Sequence, residues 1–241
     1  MTTLDRTSGA LSFLWLGHST FLFTTPGGKR LIVDPWVATN PACPESAKRV
    51  GALDLMLLTH GHGDHTADAV TLGRSSGAHV VAPYELSVWL QKKGLQKVTG
   101  CNPGGTLDMM GLKITMVPAV HSSSIEEDGQ IIYTGVATGY IVTFEDGRAI
   151  YIAGDTSVFG DMRLIAEIYK PALAFLPIGD LFTMGPLEAA KACELLAVKQ
   201  VVPMHWGTFP ALTGTPATLR ERVAPRGVEV LEMKPGETLT W

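Results

Sequence analysis

Thr59-His60-Gly61-His62-Gly63-Asp64-His65 is the stretch of this sequence that decides its fold, and it follows directly on the apolar run 53–58. Three imidazoles and one carboxylate stand where the run indicates that a buried strand ends in a glycine-rich loop. Imidazole nitrogens and carboxylate oxygens are groups with which proteins bind transition metals. Because packing alone does not call for four such groups in one turn, the segment predicts a metal site.

Short apolar runs surround this segment, and helical patterns alternate with them further along the chain. Pro26-Gly27-Gly28 separates two apolar runs as a hairpin turn would, and Pro186 and Pro216 each begin a helical stripe. Hairpins followed by alternating strands and helices predict an α/β fold, with mixed sheets covered by helices. The predicted strands are 11–16, 21–25, 30–34, 53–59, 79–82, 112–118, 138–144, 149–153, 173–177, 200–204 and 229–231, and the predicted helices are 66–73, 84–93, 162–169, 186–196 and 216–223.

The composition is that of an ordinary globular protein with a sizeable core, because 46% of the 241 residues are hydrophobic and 17% are charged. No linker, low-complexity tract or short repeat divides the chain, so we expect one domain, 1–241. Residues 122–136 lack a clean periodicity and are polar in their first half. They are predicted to form a loop, either at the active site or as an ordinary surface loop.

Charge and cysteine content restrict the partners and the compartment. The net charge of −4 provides no general basic field for nucleic acid. Three widely spaced cysteines argue for a reducing compartment, and the charged Asp5 and Arg6 before a short apolar run are untypical of a signal peptide. We therefore expect a cytoplasmic protein with a small-molecule substrate and with neither a membrane nor a nucleic-acid partner. The sequence leaves a homo-oligomer open.

Three further metal-competent side chains follow predicted strands, namely His121, Asp155 and His205. Strand ends of sheet-based folds converge on a common crevice, so these residues are expected to meet the histidine-rich loop. Seven ligands are too many for one tetrahedral ion and suit two. Asp155 is the best candidate to bridge them, since a carboxylate has two usable oxygens. The complete predicted set is His60, His62, Asp64, His65, His121, Asp155 and His205.

The His-x-His-x-Asp-His motif formed by residues 60–65 resembles the signature of the metallo-β-lactamase superfamily. Segments 17–20, 33–35, 176–180, 182–186 and 204–209 are similar to its lactonase-like, metal-dependent hydrolase branch and occur in the expected order. The resemblance implies a four-layer αβ/βα sandwich, in which two mixed sheets flanked by helices carry a dinuclear site at one edge. It assigns His60, His62 and His121 to the first metal, Asp64, His65 and His205 to the second, and Asp155 to both.

This resemblance also implies an activity, in which a metal-bound hydroxide cleaves a small ester, lactone or phosphodiester. The nitrogen and oxygen ligands favour two zinc ions, with manganese as the main rival and nickel or iron also compatible. Asp64 and His18 are the candidate catalytic residues. Asp64 would hold the second metal and accept a proton from the nucleophile, whereas His18 would contact the substrate or, as we favour, support the site from beneath.

Two alternatives to a small-molecule hydrolase remain open. One is a metal-binding sensor or scaffold that performs no hydrolysis, and the other is a nucleic-acid phosphodiesterase. Asp34, before Pro35, is expected to act as a turn or supporting carboxylate, and Asp180 either orients a ligand, faces substrate or caps a loop. His79 begins a strand away from every motif and is expected to have no functional role.

Overall fold

A computed structural model describes residues 9–241, so the sequence expectation at Asp5 and Arg6 lies outside the described part. The strands are β1 (Ser12–Trp15), β2 (Phe21–Thr24), β3 (Arg30–Val33), β4 (Leu55–Leu57), β5 (His79–Pro83), β6 (Val98–Cys101), β7 (Thr106–Met109), β8 (Leu112–Pro118), β9 (Ser124–Glu127), β10 (Gln130–Tyr133), β11 (Thr138–Thr143), β12 (Ala149–Ile152), β13 (Leu173–Pro177), β14 (Gln200–Met204), β15 (Glu229–Val230) and β16 (Thr238–Thr240). The helices are α1 (Gly63–Thr66), α2 (Ala69–Ser76), α3 (Tyr84–Lys92), α4 (Met162–Tyr169), α5 (Pro186–Leu196) and α6 (Pro216–Val223).

The strands form two mixed seven-stranded sheets and a separate hairpin of β9 and β10. The order in the first sheet is β16-β1-β2-β3-β4-β5-β6, antiparallel from β16 to β3 and parallel from β3 to β6. The order in the second is β15-β14-β13-β12-β11-β8-β7, parallel from β12 to β15 and antiparallel elsewhere. Each sheet therefore has a parallel half whose carboxyl ends share one edge.

The two sheets pack face to face through aromatic side chains. The ring of Phe175 on β13 lies 5.1 Å from Phe13, 4.9 Å from Phe21 and 5.4 Å from Phe23, measured between ring centroids. These near-perpendicular arrangements are the favoured geometry for aromatic pairs. The contacts join strands of the first sheet to the centre of the second, so the main core lies between the sheets.

Alternation along β4 shows that the first sheet is covered on both faces. Leu55 and Leu57 belong to the core between the sheets, whereas Met56 packs in a second cluster with Leu86 and Leu90 of α3. Successive side chains of a strand point to opposite faces, so a strand buried on both sides must be apolar throughout. On the other side, Ala189 and Leu196 of α5 pack onto the second sheet. This layering confirms the expected αβ/βα sandwich.

The structure departs from the sequence prediction in a few elements. Residues 122–136, predicted as a loop, contain the β9–β10 hairpin, whose two-residue turn is Asp128-Gly129 with both φ angles positive. That dipeptide is a strong hairpin signal, but the flanking strands are too short and too exposed to show alternation. The predicted helix 66–73 is two helices, and α1 begins at Gly63 inside the metal motif.

The edge strands β6, β7 and β16 were also not predicted. β6 has only partly buried residues, and β7 and β16 alternate between exposed and half-buried positions. Edge strands bury one side incompletely, so their hydrophobic pattern is weak. Within residues 9–241, no helix is long and apolar enough to cross a membrane.

Candidate metal centre

All seven predicted ligands follow the carboxyl end of a strand. The loop after β4 supplies four of them, and single residues follow β8, β12 and β14: His121, Asp155 and His205. His60, His65, Asp155 and His205 are buried, and the other three are partly exposed. Four chain segments thus bring these side chains to one edge of the sandwich, as the sequence predicted.

The first group consists of His60, His62 and His121. His62 Nδ1 lies 3.1 Å from His60 Nε2 and 3.3 Å from His121 Nε2. Ligand nitrogens about 2.0–2.1 Å from a tetrahedral zinc ion are separated by about 3.3 Å. The three nitrogens therefore have the mutual spacing of ligands around one ion.

The second group consists of Asp64, His65 and His205, with Asp155 between the two groups. Asp155 Oδ2 lies 3.0 Å from His205 Nε2, 3.3 Å from His65 Nε2 and 3.7 Å from His121 Nε2. Asp64 Oδ2 lies 3.9 Å from the Nε2 atoms of both His65 and His205. One oxygen of Asp155 thus approaches imidazoles of both groups, which is the arrangement expected of a bridging carboxylate.

Unpartnered polar atoms provide a separate test of whether these residues suit a metal. Across residues 9–241, His65 Nε2 and Asp155 Oδ1 are among the few buried side-chain atoms without a hydrogen-bond partner. A buried polar atom without a partner costs roughly 1–3 kcal/mol, so such atoms are normally satisfied. Both atoms belong to the predicted ligand set, and its imidazole and carboxylate donors suit divalent transition metals. The residues present fit the implied ions.

Asp34, at the end of β3, orients two of the imidazoles. Its Oδ2 accepts a hydrogen bond from His65 Nδ1 at 2.9 Å and another from the hydroxyl of Thr59 at 2.7 Å. Thr59 Oγ1 in turn accepts a hydrogen bond from His60 Nδ1 at 2.9 Å. With each Nδ1 acting as donor, the Nε2 lone pairs of His60 and His65 remain free for a metal. Asp34 therefore supports the site, as expected.

His18 is fully buried and contacts the site through Asp64. Its Nε2 donates to Asp64 Oδ2 at 3.0 Å, and its Nδ1 accepts from the hydroxyl of Thr208 at 2.9 Å. Burial, reinforced by the nearby His205 and His65, lowers the pKa of His18 to about 4, so this imidazole is neutral at physiological pH. Both ring nitrogens are engaged with protein groups.

Charge coupling within the second group is strong. Burial raises the pKa of Asp64, but the hydrogen bond from His18 and the charge of His65 outweigh it and hold the pKa below its usual range. Burial lowers the pKa of His65, but the carboxylates of Asp155 and Asp34 outweigh it and raise that pKa well above the ordinary value. In the first group, burial dominates and lowers the pKa of His60 well below its ordinary value.

Left-handed backbone conformations accumulate in the loops around the site. Of the nine non-glycine residues within 9–241 that have φ between 45° and 67°, five follow strands that end at this edge: His18, Asp34, Asp180, Leu181 and His205. Such conformations are uncommon for residues other than glycine and cluster at functional sites. Contacts between the loops must hold these conformations. At Gly179, for example, the loop after β13 packs so closely on the loop after β14 that a Cβ would collide with the carbonyl oxygen of His205.

A hairpin clamp, formed by Ser123 and Thr134, was not predicted from the sequence. The two hydroxyls lie 2.8 Å apart at the foot of the β9–β10 hairpin, and Gly61 N donates to Ser123 Oγ at 3.1 Å. Gly61 packs so closely on Thr134 that a Cβ would overlap the Thr134 hydroxyl. The clamp thus holds the backbone between His60 and His62. Serine and threonine are too common in loops to signal such a role.

Asp180 and His79, for which the sequence left other roles open or predicted none, are not part of the two metal-ligand groups. Asp180 is exposed, and its Oδ1 accepts a hydrogen bond from the backbone N of Leu181 at 2.8 Å, which is a loop-capping contact. His79, at the start of β5, pairs with the Thr99 hydroxyl at 2.7 Å. β5 runs parallel to β4, so its first residue lies at the edge opposite the metal loop.

Known proteins resemble this chain over almost its whole length. A family model described as a β-lactamase superfamily domain matches residues 29–206. A UPF0173 metal-dependent hydrolase of Rubrobacter xylanophilus is 51% identical, covering 96% of this chain and 97% of the relative. Another from Koribacter versatilis is 49% identical, covering 95% and 97% respectively.

A solved structure agrees with these sequence relatives. Igni18, a metallo hydrolase from the archaeon Ignicoccus hospitalis, superposes with a TM-score of 0.86 at 37% identity, covering 96% of this chain and 98% of that one. The family model, the sequence relatives and the solved structure agree with one another. The chain therefore belongs to the metallo-β-lactamase superfamily and, within it, to the group of metal-dependent hydrolases that these relatives represent.

Proposed function

We propose that this protein uses two divalent metal ions to hydrolyse a small ester, lactone or phosphodiester. The observation that carries the proposal is the convergence of seven metal-competent side chains from four strand ends. Their nitrogen and oxygen atoms face one another at 3.0–3.9 Å. His65 Nε2 and Asp155 Oδ1 are buried without a hydrogen-bond partner, and bound ions would satisfy both atoms.

The ligands divide into two sets around Asp155. His60, His62 and His121 would hold one ion, and Asp64, His65 and His205 would hold the other, with Asp155 available to both. When bound, such ions lower the pKa of a water molecule and stabilise negative charge that develops on a substrate oxygen. The donor set favours zinc, and manganese remains the main rival.

The chain's own residues supply positioning and proton transfer. Asp34 and Thr59 hold the imidazoles of His65 and His60 in the tautomers that leave Nε2 free. Asp64, whose side chain is 30% exposed, is the carboxylate that we assign to accept a proton from the attacking water. We assign His18 as a positioning residue that acts through Asp64, because its two ring nitrogens already have protein partners.

Metal analysis combined with substrate screening tests this function. Purified protein reconstituted with zinc or manganese should bind about two equivalents and hydrolyse at least one of three probes: a lactone, a carboxylic ester or a phosphodiester. Asp64→Asn preserves the shape of the side chain but removes its charge. It should lower kcat by at least about a hundredfold, the range expected for loss of a proton-transfer group.

Two outcomes would count against the proposed function. Binding of less than one equivalent of metal after reconstitution would contradict the metal site itself. Two bound equivalents without turnover of any probe would favour the sensor or scaffold. His79→Gln is the matched control, because His79 lies at the opposite sheet edge and should leave metal content and turnover unchanged.

A further inference from the structure

The strand-end loops around the metal centre expose large apolar side chains. We name the apolar rim as Val120, Leu181, Phe182 and Phe209, whose exposed fractions are 52%, 66%, 58% and 37%. Exposed hydrophobic groups that gather beside a polar site mark a surface for a ligand. Val120 precedes the predicted ligand His121, and the other three lie on the loops after β13 and β14.

The loop that carries Leu181 and Phe182 is fixed against the site. Met184 N donates to the carbonyl of Thr156 at 3.0 Å, and Thr156 is the residue after Asp155. The same loop has two successive left-handed residues, with φ of 67° at Asp180 and 59° at Leu181. Strain of this kind persists only where surrounding contacts determine the conformation. Two apolar side chains are thereby held in solvent on a loop that is hydrogen-bonded to the residue after Asp155.

Phe209 and Val120 extend the rim on both sides of that loop. The Phe209 ring stacks on Trp36 with centroids 5.8 Å apart, and its centroid lies 5.7 Å from that of His18. Val120 N donates to the Thr156 hydroxyl at 3.0 Å. Trp36 is itself buried, so Phe209 presents an anchored aromatic surface rather than a freely moving one.

Basic side chains are missing from the strand-end loops. Residues 17–20, 34–44, 59–68, 118–138, 153–162, 178–190 and 205–219 contain neither lysine nor arginine. Protein sites that recognise phosphate or carboxylate groups usually provide arginine, lysine or a cluster of backbone amides. The metal ions of the proposed site would attract negative charge only on the part of the substrate that reacts. A second negative charge, remote from the reacting bond, would find no cationic side chain in these loops.

We propose that the substrate is a neutral ester or lactone bearing an apolar substituent, and that this substituent lies against the apolar rim. The proposal rests on the proposed function for the position of the reacting group. It excludes sugar phosphates and nucleic acids, which carry charge away from the reacting bond. Phe182 is the residue on which we base the test, because it is exposed and takes no part in the metal ligand network.

Binding of inert analogues tests the proposal independently of turnover. Calorimetry on metal-loaded protein would measure Kd for γ-alkyl-γ-lactams with side chains from methyl to hexyl. Kd should fall about fourfold with each added methylene, since a buried CH2 contributes about 0.8 kcal/mol. Phe182→Ser should raise Kd about tenfold for the hexyl lactam and leave the methyl lactam unchanged. Ile168→Ser, which removes an exposed apolar side chain from α4, is the control and should change neither.

A charged analogue and a hydrolysis assay complete the experiment. A lactam whose alkyl chain ends in a carboxylate should bind at least about tenfold more weakly than its neutral counterpart. Equal Kd values across the alkyl series, or tighter binding of the charged lactam, would overturn the proposal. The corresponding lactones are assayed for hydrolysis in parallel. Chain-length-dependent binding, together with no turnover of the lactones or of the ester and phosphodiester probes, would refute the proposed function alone. Hydrolysis without chain-length dependence would refute this inference alone.

Discussion

Asp34 shows how a single buried carboxylate can organise much of a metal centre. It contacts His65 directly and His60 through Thr59, so it fixes which nitrogen of each imidazole is available. Carboxylates in this position raise the basicity of the ligand and hold the ring in place. The energetic role of Asp34 is therefore expressed in metal affinity rather than in contact with the substrate.

We predict that Asp34→Asn lowers metal affinity about 10–100-fold, the range seen when partners of ligating imidazoles are removed. Asparagine tolerates the left-handed backbone at this position, where φ is 45°, so the fold should persist. Competition with a chelator of known affinity measures the change. Asp54→Asn is the control, because Asp54 accepts a hydrogen bond from Arg30 N at the start of β3 and β4, away from the ligands. Unchanged affinity in Asp34→Asn would contradict the orienting role.

Residue type and position were enough to predict the seven metal-competent residues as a set. Histidine and aspartate are uncommon directly after apolar strands, so their placement is informative. The hydroxyl partners could not be predicted in this way. Thr59, Ser123, Thr134 and Thr208 act through hydrogen bonds of 2.7–3.1 Å, which depend on strand register and loop conformation. Nothing in a local run of sequence encodes those distances.

The β9–β10 hairpin is an element whose function follows from what its foot contacts. It belongs to neither large sheet, yet it joins Gly61 through the hairpin clamp and α3 through an ion pair between Glu127 and Lys93. The sequence predicts a loop here because the segment lacks a clean periodicity and is polar in its first half. The structure gives the reason: the two strands are short, and half of their residues are exposed. Its position beside the metal loop depends on contacts between residues more than sixty positions apart.

Two glycines in the metal motif provide a matched pair for testing the clamp. A Cβ at Gly61 would overlap Thr134 and approach the backbone of Ser124, whereas a Cβ at Gly63 would meet nothing within 4 Å. We predict that Gly61→Ala loses at least half of its bound metal under conditions that saturate the wild type, while Gly63→Ala retains all of it. Metal content per chain and thermal unfolding measure the effect.

Relief of the overlap provides a further check on this prediction. Combining Gly61→Ala with Thr134→Ala removes the hydroxyl that the new Cβ would overlap but also removes its hydrogen bond with Ser123, so it should restore metal binding only partly. If Gly61→Ala and Gly63→Ala bind metal equally well, the close approach of Gly61 to the hairpin has no role in the site.

At the scale of the whole molecule, the charge distribution favours a small-molecule hydrolase over a nuclease. The chain carries a net charge of −4, and the strand-end loops contain no basic residue. Binding of nucleic acid releases counterions in proportion to the phosphates that are neutralised, which makes it steeply dependent on salt. A metal centre whose surrounding strand-end loops carry no lysine or arginine gains little from this contribution.

We predict no measurable binding of single- or double-stranded RNA or DNA at micromolar protein and 100 mM salt. Fluorescence anisotropy of labelled 20-nucleotide probes would detect such binding, and a titration from 50 to 200 mM salt would reveal any electrostatic contribution. Tight binding that weakens about a thousandfold over that range would indicate a basic surface and would support the hypothesis of a nucleic-acid phosphodiesterase.

We expect the sandwich to fold without bound metal and the metal ions to add to its stability, and removal of metal tests this. The aromatic core around Phe175 lies between the sheets and needs no ion, so the apoprotein should remain folded. Ions that bind only the native state stabilise it by about 2.7 kcal/mol at a hundred times Kd. For a chain of this size each ion at that excess should raise Tm by about 5–10 °C, so we predict that loading with two raises it by about 10–20 °C. Scanning calorimetry of chelated and reconstituted protein measures the shift, and Asp155→Asn should reduce it. Two equivalents bound with an unchanged Tm would mean that the metal is held outside the folded constellation.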